Sequence, residues 1–175
     1  MLQNQKIVSS TILIKYQVIL FFMLLSDKEI VEAVVRKLIS IEPFSRKNLT
    51  PNGYDLTVDE IMITKTGEKI NQGKIKIPSM THFLVSTKEY VKLTGVSGSL
   101  WIRTTFARKG IISSFGKVDV GFEGNLTLSA FNAGDEIEIS IGERFAQLVF
   151  ERITKPEMLY FQRSGNYMGQ RGVTL

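Results

Sequence analysis

Alternation of apolar and polar residues recurs along this chain and limits the fold more than any other feature. "KIKIP" at 74–78 sets charge against isoleucine, "NLTLSAF" at 125–131 sends Leu126, Leu128 and Ala130 to one face, and "DEIEISIG" at 135–142 does the same with Ile137, Ile139 and Ile141. A period of two belongs to half-buried antiparallel strands. Turn signals bound these runs: "TGE" at 66–68, "NAGDE" at 132–136 and "GE" at 142–143. Many short strands with little helix argue an all-β barrel or jelly roll, and 175 residues suffice for one such domain with a real core.

Two terminal segments depart from the pattern. Residues 7–25, "IVSSTILIKYQVILFFMLL", are as apolar and as long as a membrane span, yet Lys15 and Gln17 lie inside. They read either as a signal anchor or as an extension upstream of a start at Met23, and the interior Lys and Gln favour the extension over residues 1–22. "SDKE" at 26–29 is a capping box opening a short helix on which Ile30, Val31, Val34, Val35 and Leu38 recur at helical spacing. At the other end, residues 163–175 hold glycines without apolar periodicity, the pattern of an unstructured end.

A net charge of +5 suits an anionic partner without choosing among nucleotide, nucleic acid and acidic surface. The chain has no Cys and a single His82, which removes thiol nucleophiles and the zinc-dependent deaminases. In "RTTFAR" the guanidiniums of Arg103 and Arg108, with the hydroxyls of Thr104 and Thr105, are a set suited to phosphate oxygens, or simply a strand end with solvated arginines. Asp119 stands between Val118 and Val120, so alternation turns its carboxylate away from both valines. Such an acid either caps a turn or orients a water beside a bound phosphate.

Five stretches in order, "PNGYDL" at 51–56, "RTTFARKG" at 103–110, "GKVDVGFEGN" at 116–125, "GERFAQLVF" at 142–150 and "GNYMGQRG" at 165–172, resemble the motifs of the dUTPase and dCTP deaminase superfamily. "MLLSDKEI" and "IEPF" are similar to its deaminase-like branch, which includes archaeal dUTPases, and the resemblance spans residues 23–175. It implies a distorted jelly-roll homotrimer with active sites between subunits: a barrel over 23–162 and a glycine-rich lid over 163–175. It further implies that Arg103, Thr104, Thr105, Arg108 and Gln147 hold the phosphates, that Asp119 orients water and bonds the sugar hydroxyl, and that Phe122 packs under deoxyribose. Thr127, Leu128 and Ser129 would present backbone groups to the pyrimidine, Tyr160, Tyr167, Gln170 and Arg171 would close from the tail, and Asp55 would brace the site.

In the deaminases of that superfamily a glutamate ten positions after the aspartate of the "VD" pair shuttles protons, and counting from Asp119 reaches Ser129. A serine is no carboxylate base, whereas hydrolysis at phosphorus needs only a positioned water, a base, cations and Mg²⁺ held mainly by the triphosphate. The expectation is therefore a cytoplasmic dUTP diphosphatase with Asp119, Arg103 and Gln147 in catalysis, acting on dUTP rather than on nucleic acid or membrane. The alternatives are a dCTP deaminase, mono- or bifunctional, and a catalytically silent nucleotide-binding regulator.

Overall fold

The computed structural model describes residues 24–175; the apolar leader over 1–22 and Met23 lie outside the described residues. Helix α1 (Asp27–Val35) begins at the capping box, where Glu29 Oε2 accepts from Ser26 N at 2.9 Å. It buries Ile30 and Ala33 but leaves Val35 and Leu38 exposed, so the apolar stripe on the core is narrower than the spacing suggests. Strands β1 (Ile39–Glu42), β2 (Leu49–Thr50), β3 (Gly53–Ile63), β4 (Lys69–Ile70), β5 (Lys74–Ile77), β6 (Thr81–Thr87), β7 (Tyr90–Leu93) and β8 (Val96–Ile102) follow. A single helical turn, α2 (Thr104–Ala107), precedes β9 (Ile111–Ser113), β10 (Lys117–Val118), β11 (Glu123–Gly124), β12 (Thr127–Asn132), β13 (Ile137–Ser140) and β14 (Arg144–Arg152), and a last turn, α3 (Tyr160–Arg163), leads into the tail.

The largest sheet runs β10-β8-β14-β3-β6-β12-β9, with β2 and β4 also on β3, and smaller sheets join β1-β7-β11 and β13-β5. All of these pairings are antiparallel. Strand β3 makes the curl. Its first half pairs with β14 and its second with β6, and the register shifts at Val58/Glu60 against β6 and at Arg144/Ala146 against β3. Such bulges bend a strand and raise its twist, so one strand serves both walls of the barrel. The result is the all-β, jelly-roll type of fold that the alternation implies. The faces agree as well: Leu126, Leu128, Ala130, Ile75, Ile77 and Ile139 are all buried.

Tyr54, Phe83, Phe106, Phe145 and Phe150 are among the largest fully buried side chains. Phe145 packs against Phe106 at 4.8 Å and Phe83 at 6.1 Å between ring centroids. Burying each such ring contributes about 1.5–3 kcal/mol, and Phe106 uses this to anchor α2 at the end of β8. No helix among the described residues is long and apolar enough to cross a membrane.

Glu89, only 2% exposed, ties the β6–β7 turn to β3 by accepting from Thr57 N at 2.8 Å and from Thr57 Oγ1 at 2.5 Å. Burial pushes its carboxyl above the usual carboxylate range, and the Thr57 bonds only partly offset this. The folded state therefore holds this proton to higher pH than the unfolded chain does, and stability from this group falls as pH rises through the folded-state value. Relative to Glu89→Gln, the wild type is expected to gain stability as pH is lowered from 7 toward the usual carboxylate range. Urea midpoints of both proteins across that range check it, and a constant difference would contradict it.

Candidate active site

Strands β3, β8 and β14 bring a carboxylate and two guanidiniums together. Asp55, 3% exposed, has Oδ2 3.2 Å from Arg103 Nε and 3.3 Å from Arg144 Nη1. Arg103 stands just before α2 with its backbone N donating to Phe145 O at 3.1 Å, and its Nη1 donates to Arg144 O at 3.1 Å. Burial pushes the Asp55 carboxyl up, and Arg103 and Arg144 pull it back. Beside it Gln147 Nε2 donates to Thr50 Oγ1 at 2.6 Å. Gly53 is required here, because a Cβ would sit 2.9 Å from Leu148 O and 3.0 Å from Gln147 Cγ. Thr50, Asp55, Arg103, Thr104, Thr105 and Gln147 line a cavity of about 240 Å³. Arg108 ends α2 exposed and does not line that cavity.

A second cavity, about 350 Å³, lies at Asp119. Val118 and Val120 are buried while Asp119 is exposed, and Phe122 N donates to Asp119 O at 3.1 Å to close the turn. Gly121 takes φ +90° there, and a Cβ would meet Leu159 Cβ at 2.8 Å. Phe122 meets Tyr160 edge to face at 5.8 Å, and Thr127, Tyr167 and Gln170 complete the lining. A third cavity of about 640 Å³ shares Leu100, Gly116 and Lys117 with this one and Ile102 with the cationic one. Through these shared residues the three cavities adjoin along β8 as a trough with guanidinium at one end and aromatic rings at the other.

The tail is seated on its own chain by polar bonds rather than apolar packing. Gly169 N donates to Glu123 O at 2.7 Å, Gln170 Nε2 to Asn125 O at 2.6 Å, Val173 N to Glu60 Oε1 at 2.6 Å and Thr174 N to Thr127 Oγ1 at 3.2 Å. The Arg171 guanidinium lies 3.9 Å from the Tyr90 ring centroid. Gln170 and Arg171 are thus engaged within the chain, while Tyr167 stays half exposed.

On β12 the Leu128 side chain is buried, so only its backbone can meet a ligand. Strand β9 pairs with β12 only at Ala130, Phe131 and Asn132, which leaves that edge open along Thr127–Ser129. Ser129 is exposed, with Oγ 2.8 Å from His82 Nε2, and His82 Nδ1 lies 3.0 Å from Thr64 Oγ1. Thr50, Arg144, Lys117 and His82 have no role in the sequence reading. Arg144 and Lys117 stand inside the quoted motifs, and His82 is conspicuous as the single histidine, but their partners lie far along the chain.

Residues 64–153 match the dCTP deaminase-like family. A Pyrococcus horikoshii protein named dCTP deaminase is 45% identical over 139 residues, covering 77% of this chain and 88% of its own length. A protein of Sulfolobus islandicus rod-shaped virus 1, named probable deoxyuridine 5'-triphosphate nucleotidohydrolase, is 36% identical over 87% of this chain and 98% of its own. The 2'-deoxycytidine 5'-triphosphate deaminase structure from Agrobacterium tumefaciens aligns with a TM-score of 0.66 over 76% of this chain and 49% of that one; at 16% identity the likeness is one of fold. The chain belongs to the dCTP deaminase-like family, in the superfamily that also holds the dUTPases.

The expectation of a dUTP diphosphatase, with its dUTP substrate and dUMP product, is corrected by the relatives, which carry the name dCTP deaminase at up to 45% identity. It rested on Ser129 standing where the deaminases carry a glutamate; in the structure the Ser129 hydroxyl lies 2.8 Å from the His82 imidazole. No group of three or more His, Cys, Asp or Glu gathers among the described residues.

Removing the carboxylate with Asp55→Ala leaves two guanidiniums without their counter-charge in a partly buried site. A loss of about 2 kcal/mol or more is expected, with Asp55→Asn losing less because it keeps the hydrogen bonds. Urea unfolding at unchanged m-value measures both, and equal stability of wild type and Asp55→Ala would contradict the clamp.

Proposed function

We propose that this protein is a dCTP deaminase, replacing the amino group at C4 of the cytosine in dCTP by oxygen with release of ammonia. The observation that carries this reading is the run of relatives named dCTP deaminase, which match over 88–93% of their own lengths in six cases. The trough supports it physically: a triphosphate suits the cationic end at Arg103, Thr104, Thr105 and Gln147, and a sugar suits the aromatic end at Asp119 and Phe122. Asp119 accepts from the 3'-hydroxyl, and Phe122 lies under deoxyribose where a 2'-hydroxyl would crowd it. The open edge of β12 along Thr127–Ser129 offers backbone groups to the pyrimidine.

In this proposal three copies assemble so that the ends of neighbouring troughs complete one another. Trp101 and Ile112, 62% and 60% exposed, flank the trough with apolar surface that assembly would cover, and Arg108 reaches a phosphate bound by another copy. Tyr160, Tyr167, Gln170 and Arg171 close over the nucleotide when the tail re-seats. Mg²⁺ enters as the counter-ion of the triphosphate.

The test is chromatography after incubation with dCTP and Mg²⁺. A uracil deoxynucleotide and an equivalent of ammonia are expected, with CTP turned over at least ~10-fold more slowly because of Phe122. Failure to convert dCTP would overturn the reading. Asp119→Asn, which keeps shape but weakens acceptance of the sugar hydroxyl, is expected to raise KM for dCTP by roughly 10-fold with the fold intact; an unchanged KM would remove Asp119 from the site.

A further inference from the structure

Thr64, His82 and Ser129 are linked on the outer face of the sheet from three different strands or their ends. Ser129 Oγ lies 2.8 Å from His82 Nε2, and Thr64 Oγ1 lies 3.0 Å from both His82 Nδ1 and the His82 carbonyl oxygen. The Thr64 hydroxyl has one proton. If it donates to the carbonyl, Nδ1 must supply the proton of the remaining contact, and both short distances are satisfied together only by the Nδ1–H tautomer. That leaves Nε2 as a lone pair facing the Ser129 hydroxyl. A serine whose proton can pass to an imidazole, itself oriented by a third group, is a proton-transfer unit rather than a passive hydroxyl.

Its position fits the reading above, on which this inference rests. Ser129 and Thr127 face the same side of β12 and stand about 7 Å apart, two residues along a strand. Thr127 lines the cavity at Asp119, and the edge of β12 is open at both. Of the elements around His82, β3 and β4 bring the Glu60–Lys69 ion pair to this face, Lys65 follows Thr64 in the turn, and β12, β9 and tail residues 172–174 carry no ionisable side chain.

We propose that Thr64, His82 and Ser129 form the proton relay of the deamination, with Ser129 touching the nucleotide base and His82 acting through it. Water oxygen bonds to C4, the pair displaced from the C4–N3 double bond settles on N3, and the first water proton reaches N3 through Ser129 Oγ and His82 Nε2. The second proton passes by the same route from the new C4 hydroxyl to the amino nitrogen. The C4–N bond breaks, ammonia leaves, and the base ends as uracil with the relay in its starting state.

The test combines kinetics with nitrogen-15 NMR of the single histidine. His82→Gln and Ser129→Ala should each lower kcat for dCTP by about 10²-fold or more. A wild type that deaminates dCTP while both variants keep its rate overturns the relay and leaves the deaminase reading standing. A wild type that leaves dCTP intact overturns that reading and, with it, the relay's part in deamination, and the spectrum of the free protein then decides the hydrogen-bonded unit itself. An Nδ1–H imidazole whose Nε2 resonance moves in Ser129→Ala upholds it; an Nε2–H imidazole overturns it.

Discussion

Asp55 is a buried carboxylate between two arginines, and the cationic end of the trough depends on it. Taking a carboxylate out of water is costly, and here Arg103 and Arg144 offset part of that cost by converging on one oxygen from distant parts of the chain. The same contacts hold Arg103 across the start of α2, while Phe106 on that turn is locked into the core against Phe145. Packing therefore sets where the turn sits, and the ion cluster sets where the guanidinium points. Gln147, opposite Asp55 in the ladder, is fixed by Thr50 and given room by Gly53.

The curl of β3 connects this cluster to the rest of the chemistry. Because β3 pairs with β14 in one half and β6 in the other, the Asp55 end and the His82 face belong to one continuous sheet. Strand β12 then adds an open edge, and its outer face carries Thr127 and Ser129. Guanidinium charge, an aromatic pocket and a hydroxyl with an imidazole beside it are spread over a single curved surface. The tail crosses that surface, tied to Glu60, Asn125 and Thr127 by hydrogen bonds.

Much of the architecture was legible in the chain. Period-two alternation marks the inward faces of β5, β12 and β13, "TGE" marks the turn between β3 and β4, and Ser26 with Glu29 marks the start of α1. What alternation does not encode is partner exchange: the bulges in β3 and β14 arise from pairing between distant segments. The neighbour of Ser129 is hidden from the sequence for the same reason. Counting from Asp119 finds a serine and reports its type, but its imidazole neighbour comes from 47 positions away, across β6. The tail was read as unstructured because apolar periodicity is the signal for docking, whereas its attachments are hydrogen bonds and a guanidinium on a tyrosine ring.

The central claim is that the reacting atom is C4 of a cytosine. Proton-detected nitrogen-15 NMR on dCTP labelled at the amino group, followed in one tube with the wild-type protein and Mg²⁺, reads that atom's substituent directly. Loss of the labelled amino signal with matching growth of labelled ammonium is the predicted result. An amino signal that keeps its full intensity through a prolonged incubation, whatever happens to the phosphates, would contradict it.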